Sequence, residues 1–321
     1  MRKVLGLALA VALVAGSAFS ADEIKRVGVT VGSLGNPGFV VMGEGVTQAV
    51  REKYPNAQVT VVSGDYDLSK QSQQMDDFIA AGMDVIILNA VDVEGIAPAV
   101  MRAKRAGVTV VAMDVGAEGG VDGTVTSDNI QAGRIAAEYL CERLNYKGNV
   151  IILNGPPATA IIDRVKGANE VFAKYDGIKM LSDNQNGLAQ RDESFRVMGD
   201  LLTTFPETNA VFGNNDPTGL GCELAIKQAG RKDIIVAAVD GAPDAIEAMK
   251  APGSQFVASS AQQIRNLGYM SMVVAMGIRE GKELKNEPTL IPVRLLTIEN
   301  VDEWPVWGPV GVEATGLELW K

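Results

Sequence analysis

The amino-acid sequence predicts an α/β fold of two lobes, each a parallel sheet with helices on both faces. Three observations carry this. Short apolar, β-branched runs alternate with amphipathic segments almost to the end of the chain, as repeated strand–helix units require. Runs such as Val85–Leu88 and Ile234–Val239 are apolar without polar alternation, as expected of strands buried on both faces. The alternation weakens over Asp122–Asn129, next to the glycine-rich Gly119–Ser127, and a new strand–helix series then starts. That places the junction between the lobes near residues 125–130.

The elements follow in order. Strands are expected at 26–32, 58–63, 84–89, 108–113, 149–153, 178–182, 209–213, 234–239 and 255–259. Helices fill 40–53, 69–81, 95–106, 129–144, 162–174, 191–204, 217–229, 243–250 and 263–280. Ser69 and Asp128 are expected as helix N-caps, and Asp216 caps the helix opened by Pro217. Gly82, Gly107 and Gly230 follow helices, where a left-handed residue is needed. The tail, Ile298 to Lys321, carries Trp304 and Trp307 and is expected to pack irregularly over a lobe surface, with the tryptophans as anchors and ligand stacking by either as the alternative.

The first twenty residues read as a targeting segment. Arg2 and Lys3 precede an apolar run, Val4–Val14, and Ala18-Phe-Ser20 has the form of a cleavage site. The run is shorter than the roughly 20 residues that span a bilayer. A chain exported to the periplasm is therefore expected.

Composition removes several function classes. The formal net charge is −10. That argues against nucleic acid, which needs a basic footprint, and against anionic membrane surfaces. The chain has no histidine, the commonest general base and nitrogen metal ligand. No phosphate loop, no dinucleotide fingerprint and no Cys/His metal cluster is present, so no cofactor and no metal is expected. The two cysteines, Cys141 and Cys222, fall in expected helices and read as buried thiols, although an oxidising compartment would permit a bridge.

Candidate site residues gather at the carboxyl ends of strands, where ligands bind in open α/β sheets. Asn36 and Phe39 follow the first strand, an amide beside a ring that can cover the apolar face of a sugar. Asp114 ends the strand at 108–113, and Asp240 ends the one at 234–239. A carboxylate there can accept two hydroxyl hydrogen bonds. Asn215 closes the strand at 209–213, with Asp216 given the capping role. Arg164 stands on a first helical turn after Gly155–Ala160 and can fork two hydroxyls, or pair at the surface with Asp163 or Glu170. Gln262 lies just after Ser259, near an expected crossover. Two acids could also serve as a general acid/base pair, but no nucleophile motif accompanies them.

These segments, taken together, resemble a known family. Gly35-Asn-Pro-Gly-Phe39, Val110–Asp114, Thr126–Asn129 with Gly133, Arg164-Val-Lys-Gly167, Ala210–Asp216, Val239–Asp244 and Ala261-Gln262 occur in the order found in type I periplasmic sugar-binding proteins of the ribose-binding group. The resemblance runs from about residue 24 to about residue 300. It implies two Rossmann-like lobes joined by a three-segment hinge, with crossings near 127–129, 261–263 and 289–292. Residues 21–127 and 262–290 would form the first lobe, and 128–261 with 291–321 the second lobe and tail. It implies a non-enzymatic, monomeric binder that carries a monosaccharide or sugar alcohol to an ABC-type importer, the alternative being a sugar or signalling-molecule binder that presents its ligand to a chemoreceptor or sensor. Asn36, Phe39 and Asp114 would touch the ligand from the first lobe, Arg164, Asn215 and Asp240 from the second, and Gln262 from the hinge. Ribose binders carry an arginine where Val115 stands and rings where Gly38 and Ala189 stand. The ligand is therefore expected to be another pentose, a hexose or a polyol.

Overall fold

The computed structural model describes residues 23–321. The expected targeting segment, 1–20, lies outside the described residues. The first series of elements is β1 (Arg26–Val31), α1 (Pro37–Lys53), β2 (Gln58–Ser63), α2 (Leu68–Ala80), β3 (Val85–Leu88), α3 (Ala97–Arg105), β4 (Thr109–Met113) and β5 (Gly123–Ser127). The second is α4 (Asn129–Arg143), β6 (Gly148–Asn154), α5 (Thr159–Phe172), β7 (Ile178–Asn186), α6 (Arg191–Thr204), β8 (Ala210–Gly213), α7 (Asp216–Gln228), β9 (Ile235–Asp240), α8 (Pro243–Lys250) and β10 (Phe256–Ala261). The chain then closes with α9 (Ile264–Arg279), β11 (Thr289–Ile291) and β12 (Arg294–Thr297).

Two six-stranded sheets result, ordered β11-β5-β4-β3-β1-β2 and β12-β10-β9-β8-β6-β7. All pairings in the first are parallel, and in the second only β12 runs antiparallel to its neighbour β10. The chain passes between the sheets after β5, after β10 and after β11. In each sheet the first strand lies between the second and third, so a switch point opens beside β1 and beside β6. Ligands of doubly wound sheets sit at such points, outside the strands' carboxyl ends.

Both faces of both sheets are buried, as the unalternated strands require. On one face of the first sheet, Val27, Val29 and Val31 meet Met42, Val46, Leu267 and Met270. On the other, Ile86, Leu88 and Val110 meet Met75, Phe78 and Val100. The second sheet buries Val150, Ile152 and Phe212 against Leu140 and Phe172 on one side. It buries Ile151, Val236 and Phe256 against Met198 and Ile226 on the other. Cys141 and Cys222 are buried free thiols, in different clusters on opposite faces of the second sheet.

Close helix crossings depend on glycine. A Cβ on Gly133 of α4 would lie 1.9 Å from the Arg164 carbonyl oxygen, and one on Gly167 of α5 would lie 2.1 Å from that of Ile130. The two helices touch backbone to backbone, and this contact places Arg164. Gly45 and Gly268 do the same for α1 and α9.

Several elements differ from expectation. Gly123–Ser127 is a strand, not a glycine-rich junction, because Val125 and its neighbours complete the pairing of β4 and carry β11 beyond. β7 extends to Asn186, and β11 and β12 were not expected at all. Asp67, not Ser69, caps α2, its carboxylate accepting from Lys70 N at 3.0 Å. Asp128 caps α4 as expected. The tail does not stay with the second lobe. Trp304 is buried in that lobe's core, whereas Leu319 and Trp320 pack against the core of the first.

Candidate functional site

A cleft of about 600 Å³ lies where the carboxyl ends of the two sheets face each other. Asn36, Phe39, Asp114, Arg164, Asn215, Asp240 and Gln262 all line it. A wider groove of about 750 Å³ runs along α1, past Leu34, Thr47, Arg51 and Arg265. It gathers no buried, convergent polar groups, so the chemistry belongs to the cleft.

Strand ends place the acids. Asp114 follows β4 with φ 71, and Asp240 ends β9 with φ 141, both in backbone regions that L residues rarely adopt. Each therefore turns its carboxylate out of the strand and into the cleft. Asn89, just past β3, steadies Asp114. Its Nδ2 donates to Asp114 Oδ2 at 3.2 Å and to the Met113 carbonyl, while its Oδ1 accepts from Gly32 N.

Arg164 is 5% exposed and makes no surface pair. Its Nε donates to Asn129 Oδ1 at 2.9 Å, and Nη1 donates to the Asn214 carbonyl and to Asp240 Oδ1, both at 3.1 Å. Glu170, the alternative partner, binds Arg134 instead. Gln262 Nε2 donates to the same Asp240 oxygen at 2.8 Å, and its Oε1 accepts from Ser127 Oγ at 2.7 Å. Gln262 thus ties the crossing after β5 to the crossing after β10. It borders the cleft, and its amide keeps a second donor hydrogen and a second acceptor lone pair.

The capping role expected of Asp216 falls to Asn215, which still lines the cleft. Asn215 caps α7, its Oδ1 accepting from Thr218 N at 3.0 Å and its Nδ2 donating to the Ala189 carbonyl. Asp216 lies in the first turn, fully buried, accepting from Ser259 Oγ at 2.7 Å and Ala242 N at 2.8 Å. A β-region residue is needed at the cap, and Asn215 has φ −151 and ψ 171. Asn36 is likewise a cap, accepting from Gly38 N at 2.9 Å, with its Nδ2 left for the cleft.

The electrostatics are acidic. Burial is the main cause that lifts Asp114, to about 6; Asp240 adds to this, while Arg164 and Asn89 oppose it. Burial also raises Asp240, against the pull of Arg164 and Gln262. Asp216 is raised well above the usual range by burial and then by the nearby Asp240 charge. Asp114 and Asp240 share one guanidinium. Such a cleft disfavours anions and suits neutral molecules whose hydroxyls donate to carboxylates.

Some lining residues were not expected. Asn89 obeys the strand-end rule that found the others and was legible as Asn89-Ala-Val91 after an apolar run. Tyr66 and Trp307 also border the cleft. Trp307 comes from the tail, far from any strand end. Gly38 and Ala189, the two positions without rings, line the same space.

The architecture and the cleft define a class, the two-lobed binding proteins that hold a ligand between parallel sheets. The chain belongs to the type I periplasmic sugar-binding family: residues 27–283 match the periplasmic binding protein domain. It is 32% identical over 293 residues to a xylitol-binding protein of Mycolicibacterium smegmatis, covering 90% of this chain and 81% of the relative. It is 33% identical over 261 residues to the ribose import binding protein of Bacillus subtilis, covering 81% and 83% respectively. A solute-binding protein of a Bacillus halodurans ABC transporter, solved with bound myo-inositol, superposes with a TM-score of 0.77. The identity is 29%, covering 87% of this chain and 96% of that one.

Proposed function

We propose that this chain captures a neutral monosaccharide or sugar alcohol in the interlobe cleft and delivers it to an ABC-type membrane importer. It acts in the periplasm, as a monomer, and catalyses no reaction. One observation carries the reading: Asp114, Arg164 and Asp240 converge from two sheets on one cleft that is also bordered by Phe39. Relatives that bind xylitol, ribose and myo-inositol support the ligand class.

Each group has a distinct part. Asp114 and Asp240 accept hydrogen bonds from ligand hydroxyls. Arg164 offers the N–H groups of Nη2 to hydroxyl oxygens, its other nitrogens being held by Asn129, Asn214 and Asp240. Phe39 covers a C–H face, and Asn36 donates at the rim. Groups from both lobes then favour the state in which the lobes are together, so ligand shifts an open–closed equilibrium. The closed form is the one presented to the importer.

A thermal-unfolding screen with ribose, arabinose, allose, xylitol and myo-inositol tests this. Ligand at a hundredfold excess over Kd stabilises by about 2.7 kcal/mol, which for a chain of this size raises Tm by roughly 4 °C. At least one compound should do so and be recovered unchanged. No shift from any of them, or chemical turnover of the one that binds, contradicts the proposal.

A further inference from the structure

The C-terminal tail supplies a wall of the cleft. It lies beyond residues 27–283, the part of the chain that matches the family domain. After β12 a short 3₁₀ turn, Val301–Glu303, leads to Trp304, which is buried in the core of the second lobe. Leu319 is buried in the core of the first. Trp307, between them, packs against both cores and borders the cleft. The tail is thus a strap from lobe to lobe, with an indole at its middle.

That indole has a built seat. Arg265 N, at the start of α9, donates to the Trp307 carbonyl at 3.3 Å, and Gly308 N donates to the Pro305 carbonyl at 2.8 Å. Asn266, fully buried, exchanges two hydrogen bonds with Gly311, at 3.0 and 3.3 Å. Asn266 Nδ2 also donates to Gln263 at 2.9 Å. Trp307 has φ 64, and Gly308, with φ 83, lies so close to the crossing that a Cβ there would meet Gln263 Cα at 2.8 Å. The strap is fastened to the crossing after β10, next to Gln262, which itself holds Asp240. The backbone that carries the ring is therefore fastened before any ligand arrives, and the indole packs against both cores, which lowers the ordering cost of binding.

We propose that Trp307 is a specificity-determining residue: with Phe39 it gives the cleft a second apolar face, which selects ligands presenting a C–H surface on more than one side. This rests on the sugar reading and deepens it. Positions 38 and 189, which border the same cleft, carry no ring, so the strap is a separate source of apolar wall.

Calorimetry with the panel member that binds the wild-type chain most tightly tests the inference. Trp307→Ala should weaken binding by about tenfold, Trp307→Phe by much less, and Trp304→Phe, a core change, not at all. The ranking of panel members should also change in Trp307→Ala. Should Trp307→Ala not fold, the Trp304→Phe/Trp320→Phe variant keeps Trp307 as the one indole of a chain with three tryptophans. Its emission should shift to the blue and lose acrylamide quenching when the ligand enters. Affinity within twofold of wild type in Trp307→Ala, or unchanged emission in the single-indole variant, overturns the strap assignment alone. A wild-type chain that binds no panel member overturns the sugar reading, and this inference with it.

Discussion

Asp240→Asn separates the charge of the cleft from its shape. Asparagine keeps the size and shape of the aspartate it replaces at a position of unusual backbone, φ 141. Its carbonyl oxygen can still accept from Arg164 Nη1 and Gln262 Nε2, now at 3.1 and 2.8 Å. The lost charge is felt in two opposite ways. Arg164, 5% exposed, loses the carboxylate it is hydrogen-bonded to, and stripping one member of a buried pair costs about 3–5 kcal/mol when nothing replaces it. Here the amide replaces it, and the repulsion that Asp240 exerts on Asp114 and Asp216 disappears. The net change in ligand-free stability should therefore be small, within about 2 kcal/mol. Binding has no such compensation. A hydroxyl bond to a charged acceptor is worth about 1.5–3 kcal/mol against about 0.5–1.5 for a neutral one. A loss of roughly 1–2 kcal/mol weakens affinity about 5- to 30-fold. Calorimetric titration, paired with thermal unfolding of the ligand-free variant, reads both effects. Unchanged affinity in a folded Asp240→Asn protein refutes the assignment of this carboxylate to the ligand.

The other predictions address neighbouring groups. Asp114, lifted to about 6, is protonated in the ligand-free protein at acid pH, whereas hydroxyl donation favours its ionised form. Binding should release a proton, and affinity should rise from pH 5 to pH 7 by roughly tenfold and then level; titrations in buffers of different ionisation enthalpy would reveal a falling trend if the sign is wrong. The same lift means that the contribution of Asp114 to ligand-free stability declines as pH rises from about 4 to about 6, because the native state holds a proton that the unfolded chain has lost; Asp114→Asn should remove that part of the pH dependence of unfolding. Gly133→Ala forces α4 and α5 apart, should cost about 1–3 kcal/mol, and should weaken binding by displacing Arg164. Gly199→Ala, in the exposed interior of α6 with nothing within 4 Å of the added carbon, should instead stabilise by about 0.5–1 kcal/mol without touching affinity. Phe39→Ala should weaken binding about 3- to 10-fold and also lower the melting temperature, because the ring packs against the core of the first lobe as well as bordering the cleft.

The fold was legible where one rule acted alone. Strands such as β3 and β9, buried on both faces, announce themselves by unbroken apolar runs, and Gly82, Gly107 and Gly230 do take the positive φ expected after helices. β5 was missed because Gly123-Thr-Val-Thr-Ser127 buries only alternate residues and begins with glycine; its strand character comes from β4 and β11 on either side. β11 and β12 are three and four residues long, too short to show a period. In the cleft, the rule of a polar residue past a strand found Asp114 and Asp240, and applied more evenly it would have found Asn89. It could not decide which of Asn215 and Asp216 caps α7, since both are good caps and only backbone angles separate them. For Arg164 the choice between a ligand fork and a surface pair with Asp163 or Glu170 stayed open, because sequence does not reveal that Gly133 lets a neighbouring helix cover it. For Trp307, sequence could not decide between anchoring and ligand stacking, because its position depends on a path across both lobes.

A crystal structure of the chain with the panel member that binds most tightly tests the central claim most directly. The account predicts the ligand between the lobes, against Phe39 and Trp307, with its hydroxyls in hydrogen-bonding range of Asp114, Arg164 and Asp240. A ligand lodged in the groove along α1, or one in the cleft that leaves both carboxylates uncontacted, would contradict it.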